Sequence, residues 1–452
     1  MNSLINNDTI CALATGGGIS AIALIRISGN QSIEIANKLF NKNLLDKKSH
    51  TVHFGNILEN NNIIDEVVIT IFAKDQSFTG EETIEISCHG SKFIQNKILE
   101  LLINNGVRLA NPGEFTMRAF KNGKLDLSQA ESIADLIESE SSAAHKSAIQ
   151  HLRGGFSKKL KILRQKLIDF ASLIELELDF SEEDVEFANR EQLKELLNEM
   201  HKEISSLIDS FKLGNVIKNG IPVAILGAPN VGKSTLLNSL LNEEKAIVSD
   251  IAGTTRDSIE DEMIISGYNF RFIDTAGIRK TEDKIENLGI ERTLSHANKS
   301  NIIIYLIDIT ADIEKQIKDI EKLDKENQKK VIKVINKIDL KNEIKDEIKD
   351  CIYISAKEQS DIEKLKNKIF DFTDVKKLDN TNTIVTNQRH YEQLKETINE
   401  LELVIDGLKN GLSSDLLAIN IKQSLFHLGL ITGEVSTDDL LSNIFSKFCI
   451  GK

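Results

Sequence analysis

Cysteine is scarce in this chain and never paired. Cys11, Cys88, Cys351 and Cys449 are scattered, with no C-x-x-C spacing. That excludes a disulfide framework and argues against a zinc site. Long apolar runs are also missing. The longest, such as Ile302 to Ile307, fall far short of the roughly 20 residues a helix needs to span a bilayer. The first residues, MNSLINNDTI, hold neither a basic region nor an apolar stretch of signal-peptide length. A soluble chain with no membrane segment, in the reducing cytoplasm, is the expectation. Positive charge is in deficit as well. Lys and Arg number 56 against 69 Asp and Glu, a net charge of −13. A broad, non-specific grip on nucleic acid depends on many cations meeting phosphates, so any RNA contact has to be local or shared with a partner. The 452 residues leave room for roughly two to four domains with full cores.

What is present is organised around Ile221 to Thr235, IPVAILGAPNVGKST. An apolar run reads as a buried parallel strand, a loop with two glycines follows, and a helix opens at Lys233-Ser234-Thr235. The spacing G-x-x-x-x-G-K-S is that of a phosphate-binding loop. Gly227 and Gly232 let backbone N–H groups turn inward around phosphate oxygens. The new helix offers its unpaired N–H groups and positive dipole end to the same anion. Lys233 is placed to reach the β and γ phosphates, and Ser234 to put a hydroxyl on Mg²⁺.

The base is read from two later segments. Asn336-Lys337-Ile338-Asp339 follows a strand at Val331 to Ile335. A carboxylate such as Asp339 accepts two hydrogen bonds from the donor pair on guanine, which adenine lacks. Ser355-Ala356-Lys357, after the strand Ile352 to Ile354, sits where a last base-contacting loop belongs. Taken together and in this order, these segments indicate GTP. Between them, Gly253-Thr254-Thr255-Arg256-Asp257 offers Thr255 as a second Mg²⁺ hydroxyl. Asp274-Thr275-Ala276-Gly277 offers Asp274 to the Mg²⁺ shell and the Gly277 N–H to the γ-phosphate. The next residue, Ile278, cannot orient water as the glutamine of Ras-type GTPases does. Glu282, Asp283 and Glu286 are the downstream acids that remain, and pattern alone does not choose among them.

The flanking sequence divides by pattern. Residues 1 to about 121 read as mixed α/β. Expected strands are Thr9 to Ala14, Ser20 to Ile27, His53 to Leu58, Glu66 to Phe72 and Thr83 to Ser87, with helices Ser32 to Phe40 and Lys92 to Asn105. Gly16 to Gly18 reads as a tight loop. Arg26, a lone charge in an apolar strand, is either paired, at an edge, or holding an anionic ligand, whereas Glu85 by period faces solvent. Helices then follow: a capping box at Ser128 to Glu131 opening a run to Glu140, a stretch from Lys158 to Leu178, and another from Arg190 to Phe211. The acids from Glu175 to Glu186 read as a solvated face. Gly214 to Gly220 reads as a linker into the nucleotide domain, and helix resumes after Asp379. Two helical stretches flanking an α/β domain suggest one helical domain split by an insertion.

The combination of IRISG at Ile25 to Gly29, SFTGEETIEISCHG at Ser77 to Gly90, NPGEFTMRAFKNGKLDLSQAESI at Asn111 to Ile133, DIAGTTRD at Asp250 to Asp257, DTAGIR at Asp274 to Arg279 and the tail Phe448 to Lys452 closely resembles the MnmE (TrmE) family of tRNA-modification GTPases, over the whole length. The resemblance implies a multidomain α/β chain: an N-terminal α+β folate-binding domain (1–121), a split all-helical domain (122–217 and 379–452) and an inserted Ras-like P-loop GTPase domain with a doubly wound sheet (218–378). It implies a homodimer through the N-terminal domains and a heterotetramer-type complex with the FAD protein MnmG (GidA). Together they would add an aminomethyl or carboxymethylaminomethyl group to carbon 5 of the wobble uridine of certain tRNAs. A tetrahydrofolate derivative, in its 5-formyl or 5,10-methylene form, would supply the carbon.

Residue by residue, the resemblance places GTP contacts at Asn230, Val231, Gly232, Lys233, Ser234 and Thr235; at Ser249, Asp250, Ile251, Ala252, Gly253, Thr254 and Thr255; at Asp274, Thr275, Ala276 and Gly277; and at Asn336, Lys337, Asp339, Ser355, Ala356 and Lys357. Asn230 matches a K⁺ ligand, with backbone groups of Ser249, Ile251 and Thr254 completing its shell. Threonine is usual where Ser249 stands, a departure a backbone ligand tolerates. Ser234 and Thr255 match the Mg²⁺ ligands. Glu286 matches the water-orienting glutamate, and Lys233 stands beside it among the candidate catalytic residues. Arg26, Glu85, Lys124 and Lys452 match folate-contacting positions, which fits an arginine meeting folate carboxylates. Cys449 joins the candidate catalytic residues, on a tail that folds toward the folate site. Its place four residues from the end imitates a prenylation signal, but Gly451 is not aliphatic and Lys452 is a poor last residue for one.

Two other classes compete. A ribosome-assembly GTPase shares the nucleotide domain and the apolar residue after D-x-x-G, but would normally carry a basic RNA-binding module, which is not visible here. An ATP-using metabolite kinase is opposed by Asn336 to Asp339.

Overall fold

The structure is a computed structural model that describes residues 8–179, 189–242, 261–273, 300–313, 316–317, 330–340, 348, 350–373, 375 and 384–451. It divides into two compact units, one of residues 1–137, 150–198 and 399–452, the other of residues 138–149 and 199–398.

In the first unit a six-stranded sheet runs in the order β3-β4-β5-β2-β1-β6, with β1 Ile10–Leu13, β2 Ser20–Ser28, β3 Thr51–Glu59, β4 Asn62–Phe72, β5 Thr83–Gly90 and β6 Arg108–Leu109. All pairings are antiparallel except β1 with β6. The strands are rich in isoleucine, whose branched Cβ suits a pleated, half-buried surface. Register sets Ile25 opposite Ile86, and Ile86 opposite Ile69. This face is buried with residues of helices α1 (Ser32–Leu39) and α2 (Lys92–Asn104) in one core. Strand alternation turns Arg26, Glu85 and Ser87 to the opposite face.

The helices of this unit begin with α3 (Glu114–Lys121) and α4 (Leu127–Ile137). The sequence pattern put the α4 cap at Ser128, but the structure puts it at Asp126. The Asp126 carboxylate accepts from Gln129 N at 3.0 Å while the Gln129 side chain accepts from Asp126 N at 3.0 Å. That is a reciprocal capping box two residues earlier, and the Ser128 hydroxyl donates to the same carboxylate at 3.1 Å. Helix α6 is the long Gly155–Asp179, while α5, Ser142–Leu152, falls mostly in the second unit. Near the end of the chain come α11 (Ser414–Thr432) and α12 (Asp438–Phe445). Helix α6 lies antiparallel to α11: Arg164 bonds Leu425 O and pairs with Glu434, while Glu175 pairs with Lys422.

The second unit holds a sheet ordered β12-β11-β10-β7-β9-β8: β7 Ile221–Gly227, β8 Asp261–Ile265, β9 Tyr268–Phe272, β10 Ile302–Asp308, β11 Lys330–Asn336 and β12 Cys351–Tyr353. Among the described pairings only β8 with β9 is antiparallel. The central strand β10 is apolar on both faces, as a strand covered on two sides must be. Ile302, Ile304 and Leu306 pack with α8 (Lys233–Asn242) and α9 (Ile362–Asp371), while Ile303, Tyr305 and Ile307 enter a second core with Ile313, Ile317 and Ile338.

Gly214 to Gly220 is not a linker. Helix α7 runs Arg190–Asn219 and stops only at Gly220, where φ is +81°. A Cβ at Gly214 would collide with the backbone of Val385. This glycine therefore permits close packing along a helix, a role that pattern reading mistakes for a break. A further long helix, α10, runs Gln388–Lys409, and only its first half belongs to this unit. Among the described residues no helix is long and apolar enough to cross a membrane.

Candidate functional site: a phosphate loop, base-reading loops and a second polar cluster

Strand β7 ends at Gly227 and α8 opens at Lys233, so the loop between them sits at the carboxyl edge of a parallel sheet, where open α/β folds bind ligands. Backbone conformation does most of the shaping. Asn230 holds φ +60° and Gly232 φ +100°. A Cβ on Gly232 would run into the side-chain amide of Asn336, so only glycine brings the loop this close. Lys233 Nζ donates to Gly227 O at 2.8 Å and Ala228 O at 2.9 Å. Burial lowers its pKa from the ordinary lysine value. The amine is thus held over the loop, poised for anionic oxygens. Ser234 is half-buried in the first turn of α8, while Thr235 and Asn230 are exposed.

Asn336, at the end of β11, is buried and uses both ends of its amide. Its Nδ2 donates to Val231 O at 2.9 Å and its Oδ1 accepts from Ala356 N at 3.0 Å. It therefore joins the phosphate loop to the loop that carries Ser355-Ala356-Lys357. Asp339 accepts from the Ser355 hydroxyl at 2.6 Å, and that hydroxyl accepts from Glu358 N at 3.2 Å. The carboxylate is oriented by its neighbour while keeping acceptor capacity for a base. Lys337 takes φ +67°, and its Nζ meets Asp308 at 2.6 Å. Asp308 also accepts from the Thr310 N–H and hydroxyl. Burial pushes the Asp308 carboxyl up, but Lys337 and Thr310 more than offset it and leave the group below the usual aspartate value. Lys357 is largely exposed beside Glu358.

Asp308 was missed in the sequence. The available signal was an acid closing the apolar strand β10; the structure sets it opposite Asn336 of β11. Ser249, Asp250, Ile251, Ala252, Gly253, Thr254, Thr255, Asp274, Thr275, Ala276, Gly277, Glu286 and Lys452 lie outside the described residues.

A second polar cluster occupies the sheet face of the first unit that α1 and α2 do not cover. Arg26 and Glu85 are cross-strand neighbours on β2 and β5, bonded at 2.9 and 2.7 Å. The Arg26 guanidinium lies 6.0 Å from the Phe78 ring centre and 5.7 Å from that of Phe115, and it reaches Gly451 O at 3.5 Å. Gly451 has φ +94°, and a Cβ there would strike the backbone at Leu13 and Ala14. The end of the chain is therefore fitted against β1. Exposed Cys449 accepts from Gly113 N through its carbonyl at 3.4 Å. Burial pushes the Cys11 thiol up to about 12 and Cys88 to about 11, the mark of inert cysteines.

Lys124 bonds Asp75 O at 2.6 Å and Asn122 bonds Thr79 O at 2.7 Å. Both therefore hold the loop that carries Phe78. Arg118 pairs with Glu81 at 3.2 Å, with Asp8 at 2.7 Å and with Glu114 at 3.0 Å. The two rings and Arg118 carried no period or spacing that would have singled them out.

A nucleotide loop of G-x-x-x-x-G-K-S form on a parallel sheet, clamped to an Asn-Lys-x-Asp segment, defines a P-loop GTPase domain. Family models match before it and across it: "GTP-binding protein TrmE N-terminus" over residues 9–124 and "MnmE helical domain" over residues 127–449. The chain is 53% identical over 466 residues to the tRNA modification GTPase MnmE of Flavobacterium johnsoniae, covering 99% of this chain and 100% of that protein. It is 53% identical to the MnmE of Cytophaga hutchinsonii, covering 99% and 98% of the two chains, and 48% identical to that of Bacteroides thetaiotaomicron, covering 99% and 100%. The chain belongs to the MnmE family of tRNA modification GTPases.

Proposed function

We propose that this chain is a K⁺-activated GTPase that acts with the FAD protein MnmG on tRNA. The pair adds an aminomethyl or carboxymethylaminomethyl group to carbon 5 of the wobble uridine. The observation that supports this most directly is one family-matched chain carrying both a GTP-type phosphate loop and the separate Arg26–Glu85 cluster.

In this reading Asn230 to Thr235 cradle the phosphates, and Asp339 accepts from guanine. Ser234 and Thr255 hold Mg²⁺, and Asn230 with backbone groups of Ser249, Ile251 and Thr254 holds K⁺. Glu286 orients the attacking water. Held there, K⁺ would supply the positive charge that an arginine finger gives elsewhere. The residues around Arg26 suit a folate. A cation and a carboxylate sit side by side, partly open to solvent, and two phenylalanine rings give a planar heterocycle something to stack on. When bound, the folate supplies the one-carbon unit. Arg26 and Glu85 bind and orient it, with Lys124 and Lys452 as further contacts. The reading includes a homodimer through the N-terminal domains, a cytoplasmic setting, and a division near residues 121, 217 and 378.

Nucleoside mass spectrometry of tRNA from cells lacking this chain tests the proposal. The 5-aminomethyl-type wobble uridines are expected to vanish and to return on complementation. Their persistence, with no second copy of the activity, would reject it.

A further inference from the structure

Charge is unevenly distributed in this acidic chain. Between Ser141 and Ile168 there are seven Lys or Arg and no Asp or Glu. Most of them fall at the start of α6, which then ends in acids at Glu175, Glu177 and Asp179. This is the reverse of what a helix prefers. Its macrodipole favours acids in the first turns and cations in the last. The first turn of α6 contains no acid at all, and Lys158, Lys159 and Lys161 stand in its opening turns. Helix stability alone does not select that order.

Nor does packing select it. Phe156, Leu160, Leu163 and Leu167 bury one side of the helix, and the cations occupy the other. Arg153, Lys158, Lys161 and Lys166 are exposed, around an Ile162 that is 60% exposed. In one ion pair of this face the carboxylate is the more buried partner, and in another it flanks the cation. Asp126 is 8% exposed beneath Lys161 at 45%, and Glu434 meets the half-buried Arg164. Along α6 from Lys158 to Lys166 the exposed charged residues are all cations. Lys158 to Lys166 span about 12 Å along the helix, enough for several phosphates of a nucleic acid strand, which rise about 3.4 Å each.

We propose that this cationic face of α6 binds the phosphate backbone of the RNA substrate, an inference that rests on the tRNA reading above. It resolves how a chain of net charge −13 holds RNA: through one local strip, with sequence selection made elsewhere.

The test uses the full-length chain and unfractionated tRNA, with affinity measured across a salt series. The variant Arg153→Glu/Lys158→Glu/Lys166→Glu is compared with Lys38→Glu/Lys47→Glu/Lys48→Glu, an equal charge change on exposed residues elsewhere. The α6 variant is expected to bind at least about tenfold more weakly. Its slope of log K against log salt should be shallower by roughly two, since each lost phosphate contact removes about 0.7–0.9. GTP turnover without tRNA should match wild type. The neutral set Arg153→Gln/Lys158→Gln/Lys166→Gln should show a smaller loss in the same direction, which keeps the test valid should the reversed variant misfold. Affinity and slope equal to the Lys38/Lys47/Lys48 control would overturn the proposal. If that happens while the wild-type chain still restores wobble modification in cells, only the α6 face is wrong. If wild type neither restores modification nor binds tRNA, the tRNA reading falls and takes the α6 face with it.

Discussion

Around the phosphate loop, the groups that shape the site are mostly backbone, drawn from a short stretch between Gly227 and Lys233. Around Arg26 they are mostly side chains from places far apart in sequence: strand β2, strand β5, the loop carrying Phe78 and helix α3 with Phe115, joined by the backbone carbonyl of Gly451 in the tail. The first design needs glycines at fixed spacing and leaves a motif. The second needs a whole fold to bring its parts together and leaves scattered single residues. The two should also fail differently. Damage to the loop should be steep and confined to nucleotide, and damage to the cluster graded and confined to the folate.

The largest expected effect is on hydrolysis. Glu286→Ala should bind GTP near-normally and turn it over at least about tenfold more slowly, and up to the roughly hundredfold or more that a lost general base costs. Replacing KCl by NaCl should slow wild type likewise. Equal rates in both salts would remove the K⁺ assignment, and wild-type turnover in the variant would remove Glu286. Next is Gly232→Ala. Its φ of +100° and the Asn336 amide in its path impose strain of roughly 1–3 kcal/mol, so GTP affinity should fall about tenfold to a hundredfold. Binding of 5-formyl-tetrahydrofolate by calorimetry should not change. If both ligands weaken together, the contrast between the two regions is wrong.

The phosphate loop was legible because its chemistry depends on local spacing, and the strand pattern followed from isoleucine alternation. Arg26 was legible as odd, being charged among Ile25 and Ile27, but its partner was not. By period Glu85 simply faces outward, and only strand register places it beside Arg26. Phe78 and Phe115 look like ordinary core residues in the sequence, because their role depends on tertiary position. Gly214 misled for the same reason: its neighbour Val385 is remote in sequence.

A third change probes the cluster. Arg26→Lys keeps the charge and loses the planar fork. Folate affinity should fall about tenfold, in line with the loss of a charge-assisted hydrogen bond, with GTP turnover unchanged. An unaltered folate affinity would move the ligand away from Arg26.

The smallest effect belongs to Asp308→Asn, which weakens the hold on Lys337. GTP affinity should drop about threefold, as for the net loss of a modest hydrogen bond. The pH dependence carries a sign. The folded pKa of Asp308 lies below its unfolded value, so its contribution is complete above the ordinary aspartate range near pH ~3.9. It is lost only as pH falls through the folded pKa. Between neutral pH and about pH 5 wild type and variant should therefore differ by a constant amount, read from thermal melts with GDP. A gap that closes within that window would contradict the lowered pKa.

The Asn336 amide has a consequence for time as well as for shape. Because one buried group is bonded both to Val231 O and to Ala356 N, the Ala356 amide proton cannot exchange with solvent until that fastening lets go. Its exchange clock should therefore tick with opening of the phosphate loop, although the two are far apart in the chain. A nucleotide seated on the loop alone should slow it.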